Sequence, residues 1–215
     1  MTAASSHFTH CGLPGIDLIP FGMHACHFYK DRGQLVAALA PYFVAGLNAN
    51  ERCLWITAPP LPADEAVEAL RAAWDGADEA IRTGALRVTD YDAWYANAQE
   101  LKGLDVVRLW LDEEEQALAD GYNGLRITGN VTFLKPDEWA TFVEYEQAVT
   151  DAFHGRRIVA LCSYLLPQCD EAQIGEIMRA HHCVLEQPGA EWQVAASPED
   201  VGRPRPDLAL KGTSR

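Results

Sequence analysis

Positive charge is scarce in this chain. Its 215 residues hold 17 Lys and Arg against 31 Asp and Glu, which gives a formal net charge of -14. A field of that sign repels a phosphate backbone, and the Arg156–Arg157 pair is too small a basic patch to offset it. We therefore expect no direct binding to DNA or RNA.

Long apolar runs and a secretory leader are missing as well. Residues 1–15 hold no apolar stretch behind a basic start, and Pro41 interrupts the segment Leu35–Leu47. The six cysteines show none of the paired spacings of strong zinc motifs, and a chain with a core of this size has no need of disulfides. These features predict a cytoplasmic protein with reduced thiols and no membrane contact.

The motifs of two large enzyme classes are also absent. No Gly-x-Ser-x-Gly elbow occurs, and Cys162 and Ser163 have no oxyanion signature beside them. The turn Lys30–Gly33 follows the first strand of the predicted α/β domain, where related folds bind phosphate. It has neither a glycine run nor a Ser or Thr after its lysine. Acyl transfer is disfavoured, and a divergent nucleotide hydrolase remains an alternative.

Short β-like runs alternate with amphipathic helices through the middle of the chain. Candidate strands are Ala25–Tyr29, Cys53–Thr57, Leu86–Thr89, Leu125–Phe133 and Arg157–Tyr164; candidate helices are Gln34–Gly46, one through Leu104–Leu118, Asp137–Phe153 and Asp170–His181. This order predicts an α/β fold with a mainly parallel sheet flanked by helices, and a ligand beyond the carboxyl ends of the strands.

The two ends of the sequence differ in composition from the middle. Residues 1–15 are expected to be a flexible arm, and residues 197–215, rich in proline, glycine and charge, a disordered tail. The segment 16–196 would then form one domain.

Histidine and cysteine side chains raise the question of a metal. On a strand, His24 and Cys26 share one face while His27 faces the other, so all three cannot reach one ion. A site built from His24, Cys26 and a distant histidine such as His181 stays open, although Cys26 is more simply a core residue. No metal or cofactor is assigned on these residues.

A buried carboxylate is predicted on the third helix. Glu146 falls on the apolar stripe and needs a partner, for which Arg126 of the central strand is the candidate. Two interpretations of Arg126 remain open: it forms a structural ion pair, or it contacts a ligand.

The motifs taken together resemble the MEDS sensory domain, which is related to the RecA/KaiC-type fold. The resemblance runs from Asp17 to about Gln187. It is carried by His24–Tyr29, Leu47–Thr57, Gly121–Gly129, Tyr145–Glu146, Leu161–Tyr164 and His181. It implies an input domain that senses small molecules, proposed to be simple hydrocarbon derivatives, on a scaffold whose nucleotide loop is degenerate.

The resemblance also implies a set of ligand-binding residues. They are His24, Cys26, Tyr29, Arg126, Tyr145, Glu146, Cys162, Tyr164 and His181, with Asn130 standing where an acidic residue is expected. Relatives often carry a helix-turn-helix or histidine-kinase output, and no segment here matches one. We therefore expect a non-catalytic sensor that acts on a separate histidine kinase or transcription regulator. A metal- or redox-responsive sensor and a homodimeric scaffold remain alternatives.

Overall fold

A seven-stranded sheet forms the centre of the computed structural model, which describes residues 7–95, 104–130, 138–195 and 209–210. The strand order is β5-β4-β6-β7-β3-β8-β9, and only β9 runs antiparallel to its neighbour. The strands are β3 (His24–Tyr29), β4 (Arg52–Thr57), β5 (Leu86–Asp90), β6 (Leu125–Thr128), β7 (Ile158–Leu165), β8 (Cys183–Glu186) and β9 (Gln193–Ala195). The predicted α/β class with a mainly parallel sheet is confirmed.

Helices cover both faces of this sheet. They are α1 (Arg32–Asn48), α2 (Ala63–Ala73), α3 (Ala77–Thr83), α4 (Tyr91–Tyr95), α5 (Leu104–Ala119), α6 (Trp139–Ala152) and α7 (Glu171–Ala180), with a short 3-10 helix at Leu166–Gln168. Helices α1 to α3 pack on one face, called the α1 face, and α5 to α7 pack on the other, called the α6 face.

Strand alternation sorts the side chains of the sheet between the two faces. On β3, Ala25 and Tyr29 join the core of the α1 face, whereas Cys26 joins the core of the α6 face. His24 points the same way as Cys26, because it contacts Glu146 of α6. The alternation predicted for this strand is confirmed, and it decides which polar groups can meet.

Capping residues set the starts of two helices. Asp31 caps α1 by accepting the Gln34 backbone N–H at 3.0 Å, while the Gln34 side chain accepts the Lys30 N–H at 2.9 Å. Asp170 and Gln173 form a complete capping box at the start of α7. The pattern Asp-x-x-Gln thus marks both helix starts. At α1 the Gln34 side chain accepts from Lys30 rather than from the Asp31 backbone, so that capping box is incomplete.

The segment preceding the domain is ordered where it is described, contrary to the expected flexible arm. Strand β1 (Phe8–His10) pairs antiparallel with β2 (Ile16–Pro20), and Cys11 between them is fully buried. Arg126 donates hydrogen bonds to the backbone carbonyls of His10 and Cys11 in this segment. These tertiary contacts are not apparent from the sequence of the segment.

Most of the predicted disordered tail, 197–215, lies outside the described residues. The exception is β10 (Ala209–Leu210), which pairs antiparallel with β2 and completes a three-stranded sheet. The strand predicted to reach Phe133 ends as β6 at Thr128, and Asn130 then forms an isolated bridge with Ser163. Residues 131–137 are outside the description.

The length and apolar character of a helix decide whether it could span a bilayer. Among the residues that the structure describes, none of the helices has both the length and the apolar character of a bilayer span.

Candidate functional site

Four buried side chains meet between the sheet and helices α6 and α7. They are His24, Glu146, Cys162 and His181, here called the α6-face cluster. One nitrogen, oxygen or sulfur atom from each lies within 4.8 Å of the others, and none of the four residues is more than 8% exposed. Such a concentration of polar groups in a core needs an explanation, because isolated polar groups are expensive to bury.

Local structure explains the convergence. In the parallel pairing of β3 with β7, Cys26 lies opposite Cys162, so Cys162 is one step further along the α6 face than His24. Glu146 lies on the buried stripe of α6 with Phe142 and Val149. His181 caps the carboxyl end of α7 and is thereby carried against β3.

Hydrogen bonding fixes the proton on the His24 ring. Its Nδ1 lies 2.8 Å from Thr150 Oγ1, and the Thr150 hydroxyl donates to the Ala180 carbonyl. A hydroxyl has one hydrogen, so Thr150 Oγ1 must accept from Nδ1–H. The neutral ring therefore presents a lone pair at Nε2, which lies 3.2 Å from Glu146 Oε2 and 3.2 Å from Cys162 Sγ.

The His181 ring is oriented in the same way. Its Nδ1 lies 2.7 Å from the Ile177 carbonyl oxygen, which can only accept a hydrogen bond. The His181 Nε2 then faces Glu146 Oε2 at 3.3 Å, with the Tyr164 hydroxyl 3.4 Å away. Both histidines thus direct Nε2 at one carboxylate oxygen, and within the described chain that oxygen makes no hydrogen bond of good geometry.

The electrostatics of the cluster call for a positive charge. Burial, and next the neighbouring His181 ring, lower the pKa of His24 to about 4. Burial raises the pKa of Glu146, but the adjoining His181 and His24 rings outweigh burial and hold that pKa at about 2. At neutral pH the Glu146 carboxylate is therefore anionic, and the Cys162 thiol lies within hydrogen-bond distance of the His24 Nε2 beside it. A proton shared with the adjoining rings, or an added cation, would balance the carboxylate.

Sulfur and aromatic groups line the rest of this region. Burial, followed by the negative charge of Glu146, raises the pKa of the Cys162 thiol well above its usual value. Cys26 is fully buried and packs with Phe142, Tyr164 and Val184, so it lies beside the cluster rather than in it. Of the residues considered for a metal from sequence, His24 and His181 lie where ligand atoms converge, together with those of Cys162 and Glu146, whereas Cys26 is not part of that group.

Three other predicted ligand residues lie apart from the cluster. Tyr145 belongs to α6, but its hydroxyl accepts the Trp110 indole N–H at 2.7 Å, in the direction of α5. At the carboxyl ends of the strands, Asn130 Nδ2 donates to the Tyr29 hydroxyl at 3.1 Å. The Tyr145 ring packs against the apolar residues around the cluster, whereas the Tyr29 and Asn130 pair lies at the strand ends.

Arg126 pairs with Glu51, so the expected pairing with Glu146 is wrong. Strand alternation sends Arg126 to the α1 face, whereas Leu125 and Ile127 face α5 and α6. Its Nε donates to Glu51 Oε2 at 2.7 Å, and its other nitrogens donate to the carbonyls of Tyr42 and His10, each at 2.7 Å. With its donors engaged and no exposed surface, Arg126 stabilises the fold rather than facing a ligand.

The position of the cluster along the sheet differs from the expectation. His24 is the first residue of β3, so the cluster lies beneath α6 and α7 rather than beyond the carboxyl edge. At that edge, the Lys30 and Gln34 amides, which could otherwise face phosphate, are occupied by the Gln34 and Asp31 side chains.

Sequence reasoning missed Thr150 and Glu51. Thr150 follows Glu146 by four residues on α6, and that spacing could have identified it as a partner on the same helix face. Glu51 stands in a turn after α1 and carries no pattern that indicates burial.

Comparisons with known proteins agree with the fold and with the motifs. The profile of the family MEDS, "MEthanogen/methylotroph, DcmR Sensory domain", matches residues 23–182, and no curated protein matches the chain. A KaiC-like protein from the archaeon Pyrococcus horikoshii OT3 superposes with a TM-score of 0.57 at 12% identity, over 95% of this chain and 92% of that one. This similarity shows the fold alone.

A second solved structure is more distant. The flagellar accessory protein FlaH from Methanocaldococcus jannaschii has a TM-score of 0.49 at 11% identity, over 81% of this chain and 76% of its own.

Proposed function

The chain belongs to the MEDS sensory domain family, and from this we propose that it is a non-catalytic sensor that binds a small molecule at the α6-face cluster. It reports the bound state to a separate regulatory protein. The family supports the sensory role, and the identity of the bound molecule and of the partner belong to the proposal.

The observation that carries the proposal is the convergence of His24, Glu146, Cys162 and His181 in a buried seam. Buried polar groups that are aimed at one point, with shifted pKa values, are typical of binding and catalytic sites. The apolar neighbours Cys26, Phe142 and Val184 favour a small and weakly polar guest over a large charged one. Simple hydrocarbon derivatives have this chemistry.

The phosphate-binding alternative receives less support from the residues after β3. Asp31 brings a negative charge to the start of α1 and accepts the Gln34 amide that a phosphate would need. A nucleotide would have to displace this cap and then meet its carboxylate. We therefore favour a small guest at the α6-face cluster over a nucleotide at this turn.

Transmission of the signal follows from the elements that supply the cluster. Glu146 and His181 come from α6 and from the end of α7, whereas His24 and Cys162 come from the sheet. A guest held between these groups changes the distance between the two helices and the sheet. We propose that a histidine kinase or a transcription regulator reads that displacement in trans.

Ligand-dependent stabilisation tests this function. Wild-type protein is heated with short alcohols, haloalkanes and methylated amines, and a binder at 100 times its Kd stabilises the fold by about 2.7 kcal/mol. We expect His24→Gln to abolish the shift. The matched control is His27→Gln, because His27 is equally buried on β3 but faces Ser163 on the other side of the sheet.

Two results would contradict the proposal. One is the absence of any shift across the compounds in folded wild-type protein. The other is an equal shift in the His24→Gln and His27→Gln variants, which would place binding elsewhere.

A further inference from the structure

Three hydrogen-bond acceptors face one another in the α6-face cluster. The Nδ1 protons of both histidines are committed to Thr150 and Ile177, which leaves the two Nε2 lone pairs directed at Glu146 Oε2. Lone pairs that face each other repel. The Cys162 thiol and the Tyr164 hydroxyl lie beside the two Nε2 atoms, but neither supplies the positive charge that a shared proton or cation would bring to Glu146.

The spacing of the donor atoms fits a tetrahedral metal ion. Bonds of ~2.0 Å to nitrogen or oxygen and ~2.3 Å to sulfur place the ligands of a tetrahedron roughly 3.3 to 3.7 Å apart. Three of the six separations are 3.2 Å and 3.3 Å from Glu146 Oε2 to the two Nε2 atoms, and 3.2 Å from His24 Nε2 to Cys162 Sγ; all six lie within 4.8 Å. The wider pairs would have to approach one another to complete such a shell.

Charge and ligand softness narrow the choice of ion. A divalent ion bound by the Glu146 carboxylate and the Cys162 thiolate gives a neutral centre, which is the least costly state in a buried site. Two imidazoles, one sulfur and one oxygen suit Zn²⁺ better than Mg²⁺ or Ca²⁺, which prefer oxygen ligands alone.

The surrounding hydrogen bonds are also those of a metal site. Metal-bound histidines usually donate their second ring N–H to an oxygen acceptor, which fixes the tautomer and the ring orientation. Here Thr150 Oγ1 accepts from His24 Nδ1, and the Ile177 carbonyl oxygen accepts from His181 Nδ1. Neither acceptor belongs to the cluster itself.

We propose that the α6-face cluster binds one Zn²⁺ ion through His24 Nε2, His181 Nε2, Glu146 Oε2 and Cys162 Sγ. Binding replaces the water ligands of aqueous Zn²⁺ with four metal–ligand bonds and breaks the Cys162 S–H bond, whose proton leaves to solvent. This deepens the proposed function: the four polar groups hold the metal ion, and the small guest packs beside them against Cys26, Phe142 and Val184. It rests on that function only for the sensory role, since metal binding is measured on the purified protein alone.

A metal-free arrangement competes with this proposal. In it His181 carries a second proton and pairs with Glu146, while the Cys162 thiol donates to His24 Nε2. That state needs no ion, and it predicts normal folding in the absence of metal with no thiolate–metal signal.

The experiment measures metal content and then the ligand set. Protein purified without chelators is dialysed and analysed by mass spectrometry for metals, and we expect about one equivalent of zinc. After replacement by Co²⁺, a sulfur-to-cobalt charge-transfer band should appear. Cys162→Ser should remove that band and weaken binding by about tenfold or more, whereas Cys26→Ser, on the neighbouring strand, should keep both.

Three outcomes would overturn the metal site. They are folded wild-type protein with less than about a tenth of an equivalent of any transition metal and no Co²⁺ spectrum, a charge-transfer band that survives Cys162→Ser, and a band that only Cys26→Ser removes. If a variant does not fold, the metal content and spectrum of the wild-type protein decide the question. Metal without any small-molecule response would reject the proposed function and keep the metal site, and the reverse result would do the opposite.

Discussion

Two buried glutamates lie on opposite faces of the same sheet, and the chain treats them differently. Glu51, on the α1 face, accepts from Arg126 and from the Thr9 hydroxyl. Glu146, on the α6 face, meets two histidine nitrogens at 3.2 and 3.3 Å, and within the described residues its Oε2 receives no hydrogen bond of good geometry. One carboxylate has its counter-charge built into the chain as a permanent cation, and the other does not.

This difference separates a structural site from a binding site. The Arg126 guanidinium is always charged, and its donors also hold the backbone of His10 and Tyr42, so the α1-face pair ties β1 and α1 to the sheet. The α6-face cluster has the same burial, but its two histidine partners are charged only when protonated. An outside cation can therefore compete with a proton there, which it cannot do at the α1-face pair.

The largest expected effect comes from breaking the α1-face pair. Arg126→Ala leaves the Glu51 carboxylate buried without its cation, and we expect a loss of about 3–5 kcal/mol in the free energy of unfolding, measured with urea. The control is Arg82→Ala, which breaks a solvent-screened pair with Glu79 and should leave the free energy of unfolding nearly unchanged. Equal losses of unfolding free energy in the two variants would show that the buried α1-face pair contributes no more to stability than an exposed pair.

A glycine in α1 tests the same pair by crowding it. A Cβ added at Gly46 would lie 2.5 Å from Arg126 Nε, so we expect Gly46→Ala to destabilise the protein by about 1–3 kcal/mol. Gly175→Ala in α7 is the matched change, since its Cβ would meet only the end of the Arg179 side chain at 3.4 Å. There the better helix propensity of alanine should stabilise by about 0.5–1 kcal/mol. A neutral or stabilising Gly46→Ala would contradict the described packing.

The effect expected at the α6-face carboxylate is no larger than that at Gly46, and it depends on bound metal. We expect Glu146→Gln to lower the unfolding free energy of the zinc-loaded protein by about 1–3 kcal/mol, as for a lost charged contact. Pretreatment with a chelator should remove most of this difference. Glu51→Gln instead leaves the buried Arg126 without its carboxylate partner. It should lower the free energy of unfolding by the same amount with and without chelator. A chelator-independent loss at Glu146 would favour the proton-sharing arrangement.

Acid sensitivity gives the smallest of the four effects. Burial lowers the pKa of His27 from 6.5 to about 3 in the folded state. The unfolded chain therefore binds this proton first, and stability falls as the pH decreases from about 6.5 towards 3. We expect His27→Gln to lessen the loss between pH 7 and 5.5 by about 1 kcal/mol. His154→Gln, at an exposed site, is the control; a His27→Gln curve parallel to wild type would contradict this assignment.

The sequence predicted those features that depend on local period. The alternation on β3 separated His24 from His27, and the helical stripe placed Glu146 in the core, as the structure has them. The parallel sheet followed from the order of strands and helices. Each of these inferences needs only the spacing of residues within one element.

The partners of the buried charges could not be read in the same way. Arg126 and Glu146 were matched because both were expected in the core, yet their elements place them on opposite faces. The true partner, Glu51, has no sequence pattern that predicts burial, yet it is buried and accepts a hydrogen bond from Thr9 of β1. The convergence of Cys162 with His181 likewise depends on how α7 packs on the sheet, which no single segment encodes.

The most direct test of the difference between the two glutamates is anomalous diffraction at the zinc edge from crystals of protein purified without chelators. We predict one strong peak, about 2.0 Å from the Nε2 atoms of His24 and His181 and about 2.3 Å from Cys162 Sγ, with Glu146 completing the shell. No peak, with His181 Nε2 drawn to about 2.8 Å from Glu146 in a charge-assisted hydrogen bond, would contradict the account.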